Sequence, residues 1–320
     1  MFGLSHPGGT LSFARGHVRK FGGTWSESKL DCVEDYARAY LHVMQNQRWC
    51  TLDYVDAFAG RGKQALKSGS PTPASEAFFG DESERADTEE FLVGSAIRAL
   101  SASAGSTRPF DSFLFIDADE PSCTELRGVV RSEFPALEHT VTVTCDDANS
   151  ALEHYVDSAD WSATRALVFL DPYGLEVDWN LIQKLAATKG CDVWYLFPLG
   201  GVIRMMTNSG EIPAAWSTML DRLLGTHDWH GEFYKPNPQQ SLFESDNEAL
   251  LKDASTQHVV DYIRSRLSSV FPAVSDAGVL RNSKGAPLFA LVLGVSSTSP
   301  AAQKAALAIA NHLVKDLNQL

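Results

Sequence analysis

The chain has 320 residues, 44% of them hydrophobic and 21% charged, with a formal net charge of −13. That is ordinary globular composition, sufficient for a large buried core, and it excludes a low-complexity polypeptide. Nucleic acid and anionic membranes are both polyanions, so the chain has no global attraction to either, and any such contact must rest on a local basic patch.

The five cysteines, Cys32, Cys50, Cys123, Cys145 and Cys191, form no C-x-x-C pair, and their number is odd. A disulfide framework or a cysteine-ligated zinc site is not expected, and reduced thiols point to a cytoplasmic setting. The N-terminal stretch before Thr24, rich in Gly, Ser, His and Arg, lacks the apolar core of a signal peptide and reads as a flexible arm over 1–23. No apolar run is long enough to span a bilayer, so no membrane partner is expected.

In chain order, a helix runs from Glu27 towards Gln45, capped by Ser26, with Leu30, Val33, Tyr36, Ala37, Tyr40 and Leu41 along one face. Leu52–Phe58 is a strand that enters a glycine turn. Ser70-Pro71 signals a helix start, and Thr88 to Leu100 has helical composition. Phe113–Ile116 is a strand ending on Asp117, and Pro121–Phe134 a helix. Val141–Thr144 is a strand ending near Asp146 and Asp147, and Ala148–Val156 a helix. Ala166–Leu170 is a continuous apolar strand ending on Asp171, Asn180–Ala187 a helix, and Asp192–Leu199 a fifth strand. Continuous apolar strands alternating with helices describe a parallel sheet buried on both faces.

From about 201 to 275 the pattern is helical and irregular, and reads as a helical insertion in a domain covering 24–320. The strand pattern returns at Val279-Leu280 and Leu288–Leu293, a hairpin around Asn282-Ser283-Lys284-Gly285, and a last helix runs from Ser299-Pro300 to about Leu317. A mostly parallel α/β sheet closed by an antiparallel hairpin resembles the Rossmann-like sheet of class I methyltransferases.

The carboxyl ends of strands in an open α/β sheet face the ligand crevice, and acidic residues cluster there. In Asp56-Ala57-Phe58-Ala59-Gly60-Arg61-Gly62, glycines let the backbone turn sharply and approach a ligand closely. The D-x-F-A-G-x-G string resembles motif I of nucleic-acid methyltransferases, which implies that Asp56, Phe58, Gly60 and Gly62 hold S-adenosylmethionine. At the next strand end, Asp117, with Asp119 as the alternative, is placed to accept hydrogen bonds from ribose hydroxyls. In the same scheme Asp147 accepts from the adenine amino group; helix capping explains it equally well.

Asp171-Pro172-Tyr173-Gly174 resembles the D-P-P-Y motif of enzymes that methylate exocyclic amino groups, without the second proline. An amino group conjugated to a ring is a poor nucleophile. An acceptor such as Asp171, beside a proline carbonyl, can draw its protons towards an sp³-like nitrogen, while Tyr173 stacks on the flat substrate. Cytosine-C5 chemistry is excluded by the lack of a Pro-Cys nucleophile, and Cys145 and Cys191 are expected to be buried packers. The histidines show no metal spacing, so no metal site is expected. The basic turn carrying Arg281 and Lys284 fits a phosphate-bearing substrate, or alternatively a solvated hairpin.

Together, TWSESKL, YVDAFAGRG, Gly69–Pro71, DDAN, RALVFLDPYGLEVDW, DVWYLFPLGGV, DRLLGTHDW and LRNSKGAPLF resemble the three-Cys-motif partner (TcmP) family from about Thr24 onwards. The resemblance implies a methyltransferase-like protein in a bacterial or phage setting, with a separate three-Cys-motif, radical-SAM-like protein as a possible partner. It also implies that Lys29, Arg281 and Lys284 line the site as substrate-binding residues. The expected function is methyl transfer from S-adenosylmethionine to a nucleobase amino group. The alternatives are an accessory scaffold for the three-Cys-motif protein and a metal-dependent hydrolase using Asp117, Asp147 and Asp171.

Overall fold

The computed structural model describes residues 25–62, 94–236, 250–282 and 284–318. The expected arm over 1–23, the helix start at Ser70-Pro71 and residues 88–93 of the Thr88–Leu100 stretch lie outside them. The helix α1 (Trp25–Met44) begins one residue ahead of the expected cap and buries the predicted face: Leu30, Val33, Tyr36, Ala37, Tyr40 and Leu41 are each 9% exposed or less.

Five strands follow as the alternation predicts: β1 (Thr51–Asp56), β2 (Ser112–Asp117), β3 (Val141–Cys145), β4 (Thr164–Leu170) and β5 (Cys191–Phe197). Between them lie α2 (Ser95–Ala104), α3 (Glu120–Glu133), α4 (Ala148–Ser158) and α5 (Trp179–Ala187). The next elements are α6 (Leu199–Met205), α7 (Ala214–Leu224), α8 (Trp229–Phe233) and α9 (Thr256–Ser268). Two short strands, β6 (Tyr234–Pro236) and β7 (Leu250–Lys252), pair into a separate antiparallel sheet within this region. The chain then forms β8 (Ala273–Val274), β9 (Gly278–Arg281), β10 (Pro287–Val295) and α10 (Pro300–Leu317).

The central sheet runs β3-β2-β1-β4-β5-β10-β8, with β9 also paired to β10. β1 to β5 are parallel, whereas β10 is antiparallel to β5, β8 and β9. This is a mixed α/β fold with a mostly parallel sheet. β4 and β10 are almost wholly buried because helices cover both faces, which is why their sequences run apolar without alternation. Alternation along β1 shows the two faces: Tyr54 packs on Phe110 towards α1, whereas Asp53 accepts from the Tyr155 hydroxyl of α4 at 2.8 Å. Among the described residues no helix is long and apolar enough to cross a membrane.

The five cysteines are free thiols. Cys191 is buried as expected, but Cys145 is only half-buried, because β3 is the edge strand and its thiol reaches the Ala118 carbonyl at 3.7 Å.

The region after β5 packs into the common core: Trp229, 1% exposed, donates its indole N–H to Asp221 at 2.7 Å. His258 of α9 ties this region together, one ring nitrogen 2.7 Å from Glu232 and the other 2.9 Å from the Asp253 carbonyl. Both nitrogens can donate only when the ring is charged, and the Glu232 carboxylate holds its pKa above the ordinary value. The stabilisation is therefore complete below about pH 6.5 and fades as pH rises through the elevated folded value. Because the pair is partly exposed, its size is below ~1 kcal/mol. Hydrogen-exchange protection across α8 and the start of α9, corrected for the intrinsic exchange rate at each pH, is expected to be greater at pH 5.5 than at pH 8.5. His258→Phe is expected to remove that pH dependence, and its persistence in the variant would contradict the assignment.

Candidate functional site

The carboxyl ends of β1, β2, β3 and β4 meet at one edge of the sheet. β1 ends on Asp56, and the chain continues into the predicted glycine turn. Ala57 donates to the Phe169 carbonyl of β4 at 3.1 Å and Ala59 to the Ile116 carbonyl of β2 at 2.9 Å. The turn is thus stitched between its two neighbouring strands. Gly60 and Gly62 have φ of 60° and 85°, a left-handed conformation that side chains disfavour. A Cβ on Gly62 would also lie 3.2 Å from Leu126 of α3 and 3.4 Å from Ile97 of α2. Phe58 is buried in the core rather than presented at the surface.

Asp56 is fully buried, and its Oδ1 accepts the Phe58 amide at 3.2 Å. Burial pushes its carboxyl up to about 7, against the opposing pull of the Ser95 hydroxyl and the Phe58 amide. Its Oδ2 is buried without a hydrogen-bond partner. Asp117, 6% exposed, accepts the Gly60 amide at 3.0 Å and the Asp119 amide at 2.8 Å, one on each oxygen. It therefore fixes the glycine turn to the end of β2, while each oxygen retains acceptor capacity. Asp119, the weaker alternative, caps α3 by accepting from the Ser122 amide at 2.9 Å.

Asp147 caps α4 by accepting from the Ser150 amide at 3.0 Å. Asn149, two residues further on, has a structural role: its amide donates to the Glu176 carbonyl at 2.8 Å and its oxygen accepts the Asp178 amide at 2.9 Å. These bonds clamp the loop that follows β4.

That loop carries Asp171, Pro172 and Tyr173. Asp171 is 1% exposed, and its Oδ2 forms an ion pair with Lys29, which is itself 0% exposed. The Lys29 ammonium also sits 5.5 Å from the centre of the Phe169 ring. Burial lowers Lys29 to about 8 against the attraction of Asp171, and burial raises Asp171 against the attraction of Lys29. Asp171 Oδ1 is buried without a partner. Pro172 is buried, and Tyr173, half-buried, donates its amide N–H to the Glu176 carboxylate at 3.2 Å. Burial, then the carboxylates of Asp117, Asp171, Glu176 and Asp119, push the Tyr173 hydroxyl above its ordinary pKa, which places that ring amid the acidic strand ends.

Lys29, paired with Asp171, therefore offers no exposed surface to a substrate. Arg281 and Lys284 are exposed in the turn between β9 and β10. Asn282 builds that turn: its side-chain oxygen accepts the amides of Lys284 at 3.0 Å and Ala286 at 2.8 Å. Because Ala290 of β10 pairs with Phe197 at the carboxyl end of β5, the turn lies at the same sheet edge as Asp171. Among the described residues no group of three or more His, Cys, Asp and Glu side chains is arranged to hold a metal ion.

Fold and site together define a mixed α/β protein with carboxylates gathered at the carboxyl edge of a mostly parallel sheet. No protein-family model matches the chain, and no curated protein matches it. Among solved structures, the protein LPL1258 from Legionella pneumophila strain Philadelphia 1, of family DUF519, is similar at 13% identity with a TM-score of 0.39. That similarity covers 90% of this chain and 92% of the other.

Proposed function

We propose that the chain is an S-adenosylmethionine-dependent methyltransferase acting on an exocyclic amino group of a nucleobase in nucleic acid. The observation that carries this reading is Asp171: a buried carboxylate just past the end of β4, with one oxygen held by Lys29 and the other without a hydrogen-bond partner. The strand order, with β10 antiparallel beside β5, fits the Rossmann-like class I sheet.

The residues present suit the cofactor. The glycine turn has the backbone conformation that close approach requires, and Asp117 retains acceptor capacity for a diol. The acidic surroundings of Tyr173 complement a cationic sulfonium. When bound, the cofactor supplies an already activated methyl group, so the protein's share of catalysis is positioning. Asp171 Oδ1 accepts a proton of the amino group and orients its lone pair. Lys29 holds Asp171 in one rotamer and keeps it charged. Tyr173 offers a face to the base, and Arg281 and Lys284 offer positive charge to the phosphates, the local attraction that an acidic chain needs.

Calorimetry is expected to give heat of binding with both S-adenosylmethionine and S-adenosylhomocysteine; no heat with either would end the proposal. Asp171→Asn keeps the shape and one acceptor oxygen. It is expected to bind the cofactor normally and to transfer tritiated methyl groups into undermethylated RNA or DNA about 10²-fold more slowly.

A second reading, an accessory partner of a three-Cys-motif protein, draws on the deep burial of Asp171 and its commitment to Lys29. That reading predicts that Asp171→Asn leaves partner-dependent activity unchanged.

A further inference from the structure

Beneath the glycine turn, on the face covered by α1 and α2, lies a set of buried polar groups that simple positioning leaves unexplained. Asp56 and Asp171 contribute two carboxylates and Lys29 one ammonium, and all three are 1% exposed or less. Lys29 is paired with Asp171. Asp56 holds the turn through Phe58, yet its Oδ2 and Asp171 Oδ1 remain buried without partners. Among the described residues, the groups facing this set include Tyr54 from β1, Ser95 from α2 and Phe169 from β4, with Lys29 itself coming from α1. With both carboxylates ionised, the set carries one uncompensated negative charge in a medium that tolerates it poorly. One bound proton, or one nearby positive charge, removes the imbalance.

Resting on the cofactor reading above, we propose that Asp56, Asp171 and Lys29 form one charge-compensating unit that releases a proton when a cationic ligand settles at the glycine turn and regains one when that charge is lost. At an effective dielectric near 20, a unit positive charge anywhere within about 10 Å would lower a carboxyl's pKa by more than about one. The proton belongs to the coupled unit rather than to one residue. Asp56 is its principal seat, because Asp171 already faces Lys29 and the Asp56 carboxyl titrates near neutrality.

The balance closes over one turnover. During methyl transfer the N–C bond forms as the S–C bond breaks, the sulfur loses its positive charge, and the amino nitrogen gives up a proton. The unit, having shed its proton when the cofactor bound, takes that proton through Asp171, the member that contacts the amino group. The overall reaction still yields one proton to solvent; at pH 7 about half of it leaves at cofactor binding and the remainder at the chemical step.

The test is calorimetric binding of S-adenosylmethionine and S-adenosylhomocysteine to the full chain at pH 7 in buffers of different ionisation enthalpy. The sulfonium form is expected to release about half a proton more than the neutral sulfide, since a group titrating near the working pH starts half protonated. Asp56→Asn is expected to bind both ligands with equal proton counts. Equal counts in the unaltered protein overturn the charge-compensating unit and leave the cofactor reading intact. Absence of binding by both ligands removes the cofactor reading and this inference together. Should Asp56→Asn fail to fold, the Asp56 carboxyl carbon resonance in the unaltered protein decides: it should titrate near neutrality without ligand and stay ionised there with S-adenosylmethionine. A carboxyl that is ionised throughout in both states overturns the proposal.

Discussion

Lys29→Met is expected to destabilise the protein by about 3–5 kcal/mol, the cost of leaving a buried charge without its partner. Lys29 and Asp171 are both out of solvent, so water cannot take over the lost contact. The stranded carboxylate responds by protonating. Its folded pKa, already raised by burial, rises further above the unfolded value. A carboxyl raised on folding favours the native state at low pH and penalises it as pH climbs past the unfolded value near 4. The deficit of the variant should therefore be smaller at pH 5 than at pH 8. Urea denaturation at the two pH values measures it. The double variant Lys29→Met/Asp171→Leu, which removes both charges, is expected to recover most of the loss. A single variant as stable as the parent at pH 8 would show that the pair contributes nothing to the fold.

Gly225→Ala is expected to cost about 2–5 kcal/mol, combining a left-handed backbone penalty with overpacking. Gly225 ends α7 at φ 66°, and a Cβ there would lie 2.0 Å from Cδ1 of Trp179. Trp179 cannot retreat easily. It is 3% exposed, and the Arg266 guanidinium lies 4.7 Å over its ring while donating to the Leu224 carbonyl at 3.0 Å. Trp179 opens α5, directly after the Asp171 loop, and Arg222 of α7 donates to the Leu175 carbonyl of that loop at 3.2 Å. The substitution should thus lower the urea midpoint and displace the loop that holds Tyr173. An unchanged midpoint would mean that the ring moves aside without cost, contrary to this packing.

The parallel strands were legible because burial on both faces writes itself as apolar runs, as in Ala166–Leu170. The terminal helix was legible from its Ser299-Pro300 start, where the Ser299 hydroxyl does accept the Ala302 amide. β8, with two residues, and β6 and β7, with three each, are too short to leave a periodic signal. Asp147 was ambiguous because a carboxylate before a helix suits both capping and ligand binding, and a sequence does not separate them. The link between Lys29 and Asp171 was not legible as a contact: the two lie 142 positions apart, and only the folded sheet brings α1 over the end of β4. Family resemblance pointed to Lys29 as a substrate-binding residue, whereas packing buries it against Asp171.

The position of β10 has a consequence for how the molecule is made. This strand is synthesised late yet occupies an interior lane, wedged between β5 and the short β8 and β9. After β5 has emerged from the ribosome, roughly a hundred further residues must follow before Val295 is available, a wait of about 5–20 s at ordinary elongation rates. Throughout that interval the flank of β5 is an unsatisfied row of amides and carbonyls beside a hydrophobic surface, open to pairing with another nascent chain. Yield in the cell should therefore depend on translation speed and chaperone supply across this interval as well as on the stability of the finished fold.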